Sequence, residues 1–73
     1  MDIQQAFGNN IRRCRMIKGW TQEALSEKTG LHRTYISGLE RGVRNPSLEI
    51  IQNIAHTLDI EASVLLQFQM DQK

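Results

Sequence analysis

At 73 residues the chain has room for one domain, near the lower size limit for a self-supporting core. A lone Cys14 excludes an internal disulfide framework, and with only His32 and His56 beside it there is no metal-binding set. The net charge of +1 hides an asymmetry: residues 11–44 carry eight basic side chains against three acids, a balance of +5, while the stretch from residue 45 onward stands at −3. Such a split suits a polyanion on one side of the molecule, or else an ordinary solvated surface of mixed sign.

In chain order, Phe7, Ile11 and Cys14 recur at intervals of four and three, which predicts a first helix from about Asp2 to Lys18, ended by Gly19. Thr21 is placed to cap a second, short helix that has Glu23 in its positive first turn and stops at Gly30. Gly30 supplies the left-handed backbone of a sharp turn, and a third helix follows from about His32 to Arg41, closed by Gly42. Asn45-Pro46-Ser47 is a helix-start signal with either Asn45 or Ser47 as cap, and Leu48, Ile51, Ile54, Ala55 and Leu58 form the expected buried stripe of a fourth helix. A fifth is predicted from Ala62 to about Gln69, with Val64, Leu65 and Phe68 on one side. Nothing alternates like a strand, so the fold class is all-α. No run of about 18 apolar residues and no signal-peptide pattern occurs, so a cytoplasmic protein with no membrane contact is expected.

The third helix separates into two faces. Arg33, Thr34, Ser37 and Arg41 fall within roughly 100° of one another on a helical wheel, with Gly38 next to them, whereas Ile36 and Leu39 converge on the opposite side and Tyr35 sits at the boundary. A helix enters the DNA major groove only if small residues let its backbone approach, and Ser37 and Gly38 would allow that. An arginine near the helix start then reaches guanine O6 and N7, and a threonine meets a base edge or a thymine methyl. By itself this is also the pattern of any amphipathic helix with a polar outer face.

A short helix, a glycine turn and a second short helix of this kind form the helix-turn-helix unit. The segment TQEALSEKTGLHRTYISGLERGVRNPSLEII resembles the phage-repressor-type (Xre-like) helix-turn-helix family, through Thr21-Gln22, Ala24-Leu25, Gly30, Ile36, Leu39-Glu40-x-Gly42 and Asn45-Pro46-Ser47-Leu48. The resemblance runs from about Phe7 through Leu66 and implies a five-helix, phage-repressor-like domain spanning 1–73, with the helix-turn-helix at about 21–41. It implies double-stranded DNA as partner and no cofactor. Carried over residue by residue, it assigns base contacts to Arg33 and Thr34, with Ser37 reaching a base or a phosphate. Phosphate contacts fall on Gln22, Tyr35, Arg44 and Asn45. His32 stands where a Ser or Thr commonly caps the helix, so it either contacts phosphate or is a partly exposed turn residue. Arg15 and Glu40 take the positions of a structural ion pair between the first and third helices. Cys14 and Trp20 read as packing residues.

Ile60, Val64, Leu65, Leu66, Phe68 and Met70, with Ile50 or Ile54, exceed what one small core absorbs, and such a surplus marks an interaction surface at about 50–70. A two-fold homodimer is the expected assembly, with Ile50, Ile60, Val64 and Phe68 at its interface. The length and the HRTYIS and ERGxRNPS segments further resemble the controller proteins of restriction–modification operons, which implies an autoregulatory role and RNA polymerase as a further partner. The rival reading is a non-catalytic protein-binding module, such as an antitoxin-like partner. An enzyme is not expected, since no nucleophile–base pair, phosphate loop or metal cluster is recognisable.

Overall fold

The computed structural model describes residues 2–68, and the first four of its helices begin where a side chain accepts an orphan backbone N–H. These residues form α1 (Ile3–Ile17), α2 (Gln22–Thr29), α3 (Arg33–Glu40), α4 (Leu48–Leu58) and α5 (Ala62–Leu65), with no strand among them. The Asp2 carboxylate accepts from Gln5 N at 2.9 Å and Thr21 Oγ1 from Ala24 N at 3.0 Å. Of the two candidates at the start of α4 it is Ser47 that caps, its hydroxyl accepting from Ile50 N at 3.2 Å. His32 also serves as a cap: Nδ1 accepts from Thr34 N at a long 3.4 Å, an arrangement that requires the ring proton on Nε2.

Two glycines carry special geometry. Gly30 closes α2 at φ 78°, in the left-handed region, and turns the chain into α3. Gly8, in the middle of α1, faces the end of α3 so closely that a Cβ there would lie 2.2 Å from the Leu39 carbonyl oxygen. The cost of a glycine inside a helix, about 1 kcal/mol against alanine, is offset by that close approach.

Phe7, Ile11, Leu25, Ile36, Leu39, Ile54, Leu58 and Leu65 are buried at the centre, so every helix contributes at least one core side chain. Cys14 and Trp20 pack partly buried against this core, as their reading as packing residues requires. α3 packs against α1 and α2, α2 packs in turn against α4, and α4 and α5 pack on each other and on α1. Asn53 ties α4 to the turn, its Nδ2 donating to the Thr29 carbonyl at 2.9 Å.

Three expectations need correction. The fifth helix ends at Leu65 rather than near Gln69, and Gln69 and Met70 lie outside the described residues. Its terminator is distant in sequence: the buried Asn10 side chain donates through Nδ2 to the carbonyls of Leu65 at 2.8 Å and Gln67 at 2.7 Å, drawing the chain out of helical geometry. Phe68 therefore follows the helix instead of sharing its face. Leu48, assigned to the buried stripe, is 81% exposed, because the first residue of α4 points away from the core. Gly38, expected on the open side of α3, is buried beneath the Arg44 side chain.

Candidate nucleic-acid interface

Glu40 would place a negative charge on the helix expected to meet DNA, and the fold removes that charge from the surface. Arg15 Nε donates to Glu40 Oε2 at 2.7 Å and Arg15 Nη2 to Oε1 at 2.9 Å, a two-pronged pair between α1 and α3 with side chains only 11% and 4% exposed. Arg15 Nη1 adds a bond to the Trp20 carbonyl at 2.8 Å, and Gln22 Nε2 donates to Glu40 Oε1 at 3.0 Å. The hydrogen bonds to Glu40 hold the Arg15 guanidinium above the ordinary arginine range, outweighing the opposite effect of burial. One carboxylate thus ties α1, α2 and α3 together and fixes the angle at which α3 is presented.

With Glu40 neutralised, the exposed side chains of α3 are basic or hydroxylic. Arg33 and Thr34 are both exposed in the first turn, and Ser37, one turn later, is partly exposed. Arg41 leans back along the helix, Nε to the Ser37 carbonyl at 3.5 Å. Arg33 lines one open recess together with Arg15, Thr21, Gln22 and Glu23, so the start of α3 and the N-terminus of α2 share a concave polar surface. Gln22 belongs to this surface although its amide nitrogen is engaged by Glu40, and the backbone N–H groups of the first turn of α2 lie beside it.

The remaining assigned residues border the face. Exposed His32 precedes Arg33 at the cap. Tyr35 is half-buried against the core, and the Arg44 guanidinium stands over its ring at 5.7 Å from the centroid. Asn45, next to Arg44, is exposed and also lines a cleft with Ile3, Gln4, Phe7, Pro46, Ile51 and Leu66. Of the four residues assigned to an interface between copies, Ile50, Ile60 and Val64 are partly buried and Phe68 is 49% exposed. Beyond α3, Lys18 and Lys28 flank the Trp20 ring at 5.3 and 4.7 Å, extending the cationic surface around the second helix. Among the described residues no group of His, Cys, Asp and Glu is arranged to hold a metal ion, and no helix is long and apolar enough to cross a membrane.

Sequence reasoning missed Asn10, which acts over a separation no local pattern reveals, and the burial of Gly38. A signal for Gly8 did exist, because a glycine inside an otherwise helical stretch implies close packing.

Comparison with known proteins agrees with this arrangement. A helix-turn-helix family model matches residues 11–65. The chain is 43% identical over 68 residues to the control protein C.BamHI of Bacillus amyloliquefaciens, an alignment covering 92% of this chain and 84% of that protein. The restriction–modification controller protein C.AhdI from Aeromonas hydrophila has a similar crystal structure, with a TM-score of 0.82 at 45% identity over 85% of this chain and 94% of the other. A third controller, C.Esp1396I, solved as a tetramer with its natural 35 base-pair operator, matches at a TM-score of 0.80 and 35% identity, over 89% and 86% of the two chains. By sequence and by fold, the chain belongs to the phage-repressor-type (Xre-like) helix-turn-helix family, with restriction–modification controller proteins among its relatives.

Proposed function

We propose that this chain is a transcriptional regulator that binds a pseudo-palindromic operator as a homodimer and acts near its own promoter, in the manner of a restriction–modification controller. The observation that carries the reading is the first turn of α3, where Arg33 and Thr34 stand exposed beside the Gln22 recess while the acid of the same helix is turned inward and paired. In this reading Arg33 and Thr34 read base edges, and Ser37 reaches a base or a phosphate. Gln22, His32, Tyr35, Arg44 and Asn45 hold the phosphate backbone. Bound beside a promoter, the dimer also meets RNA polymerase, which makes activation as well as repression available to it.

The test is a gel-shift titration on duplex DNA from upstream of the gene, at several salt concentrations. Binding is expected to weaken steeply with salt as condensed counterions are released. Arg33→Ala is expected to cost about 1–3 kcal/mol and to relax preference at one base position, whereas Gln22→Ala weakens all sequences nearly equally. Unchanged specific binding by Arg33→Ala would remove the base-reading role.

A further inference from the structure

Position 38 lies on α3 between the exposed face and Tyr35, where a side chain would meet solvent or DNA, yet Gly38 is buried. What covers it is the stem of Arg44, from the loop after α3. A Cβ at position 38 would stand 2.8 Å from Arg44 Cγ, 3.2 Å from Nε and 3.6 Å from Cδ. The loop is fastened to the same turn of helix by Gly42 N to the Leu39 carbonyl at 3.1 Å and Val43 N to the Gly38 carbonyl at 3.0 Å. Beyond the stem, the guanidinium carbon rests over the Tyr35 ring, one helical turn before Gly38. The missing side chain is therefore a seat. Arg44 lies lengthwise along the edge of α3, and its charge is held beside the face that carries Arg33, Thr34 and Ser37.

We infer that Gly38 is a positioning residue for DNA binding, acting through Arg44: the gap at 38 lets a loop arginine occupy the edge of the recognition helix and pre-sets its contact with phosphate. The inference rests on the DNA-binding reading above. Its physical basis is that a flexible arginine held in place before binding loses less rotamer freedom on contact than one free in solvent. The conflict with a Cβ falls at Cγ, near the root of the side chain, so moving the guanidinium tip alone does not relieve it. Alanine at 38 therefore requires the Arg44 stem to shift from its root.

The variants are Gly38→Ala, Arg44→Ala and the pair combined, titrated against the upstream duplex at several salt concentrations. Thermal melting is recorded for each, along with the Arg44 Nε–H signal by NMR without DNA. Gly38→Ala is expected to melt no lower than the parent, because alanine favours helix over glycine. It nevertheless binds about tenfold more weakly, and its dependence of log affinity on log salt is shallower by about one, although no charge has been removed. Its Arg44 signal moves from the ring-shifted position to that of a solvated arginine. In the Arg44→Ala background the same substitution adds less than a twofold loss. Parent-like binding by Gly38→Ala, or an equal loss with and without Arg44, overturns the inference. If the parent binds no duplex at all, the DNA-binding reading falls and the role of the seat falls with it, and the NMR signal distinguishes that result from a seat that never existed.

Discussion

The carboxylate of Glu40 shows how one residue decides whether this surface can meet a polyanion. Unpaired, it would repel phosphate from the helix that carries Arg33; paired with Arg15 and bonded by Gln22, it becomes part of the frame that orients that helix. The raised Arg15 pKa sets the pH behaviour of its contribution. The stabilisation is fully present at every pH below the unfolded arginine value and is lost only as pH rises through the still higher folded value. Titration across the neutral range therefore leaves Arg15's side of the pair untouched, and mutation is the way to measure it. Arg15→Met strands an almost fully buried carboxylate and is expected to cost about 3–5 kcal/mol in urea unfolding, enough to unfold much of a domain this small. Replacing both partners, as Arg15→Met with Glu40→Leu, is expected to recover most of that loss, because no charge then remains buried without a partner. Gln22→Ala, which removes one hydrogen bond and no charge, is expected to cost about 1 kcal/mol. A loss for Arg15→Met no larger than that for Gln22→Ala would show that the pair is not the frame.

Helix ends were legible in the sequence where their signals are local and obscure where they are not. Thr21, Gly30 and Ser47 act within three residues of the groups they satisfy, and α2, α3 and the start of α4 fall where those residues imply. The Arg33 and Thr34 face was legible for the same reason, since helical periodicity alone separates it from Ile36 and Leu39. Gly38 was misread because periodicity says which side of a helix a residue faces, and not that a loop six residues on returns to cover it. Leu48 was misread because an apolar residue in a first turn is drawn into the stripe by spacing, while its 81% exposure depends on where the neighbouring helices end. The premature end of α5 had no local signal at all, since it depends on Asn10 reaching across 55 positions. Asn10 is fully buried, donates to two carbonyls and accepts from Arg13 Nη2 at 2.9 Å, so its replacement is informative about the element it holds. Asn10→Ala leaves both carbonyls short of a donor and is expected to cost about 2–6 kcal/mol, from the roughly 1–3 kcal/mol typical of each lost partner. Hydrogen exchange is expected to show the losses concentrated in residues 62–68 and α1, with α2 and α3 holding until global unfolding. Uniform loss of protection through all five helices would mean that α5 is not separately anchored.

Taken whole, the molecule is polarised. The cations belong to α1, the helix-turn-helix and the loop after it, whereas Glu49, Asp59 and Glu61 are exposed on the side built from α4 and α5. Under the proposed function a polyanion meets the first side, which leaves the acidic side for the proposed second copy. Size argues for that copy. The described residues span 36 × 24 × 19 Å and α3 has eight residues, dimensions that suit one protomer to one stretch of major groove. Reaching the next groove segment on the same face of the duplex, about 34–36 Å along, takes a second α3. Phe68, 49% exposed just after α5, and Leu48 at the start of α4 supply apolar surface on these elements. Phe68→Glu is expected to leave the melting temperature of the monomer nearly unchanged, because the side chain is largely outside the core, and to convert a dimer into a monomer in sedimentation equilibrium. Coupling two recognition helices raises affinity by about 10²–10⁴ over one alone, so the same variant is expected to bind a two-half-site operator hardly better than a single half-site. Met16→Glu, at the far end of α1 where Met16 and Ile17 are also exposed, is the matched control and is expected to leave the dimer intact. If Met16→Glu dissociates the protein and Phe68→Glu does not, the two-fold axis passes by α1, and the separation of the two α3 helices has to be worked out again from that end.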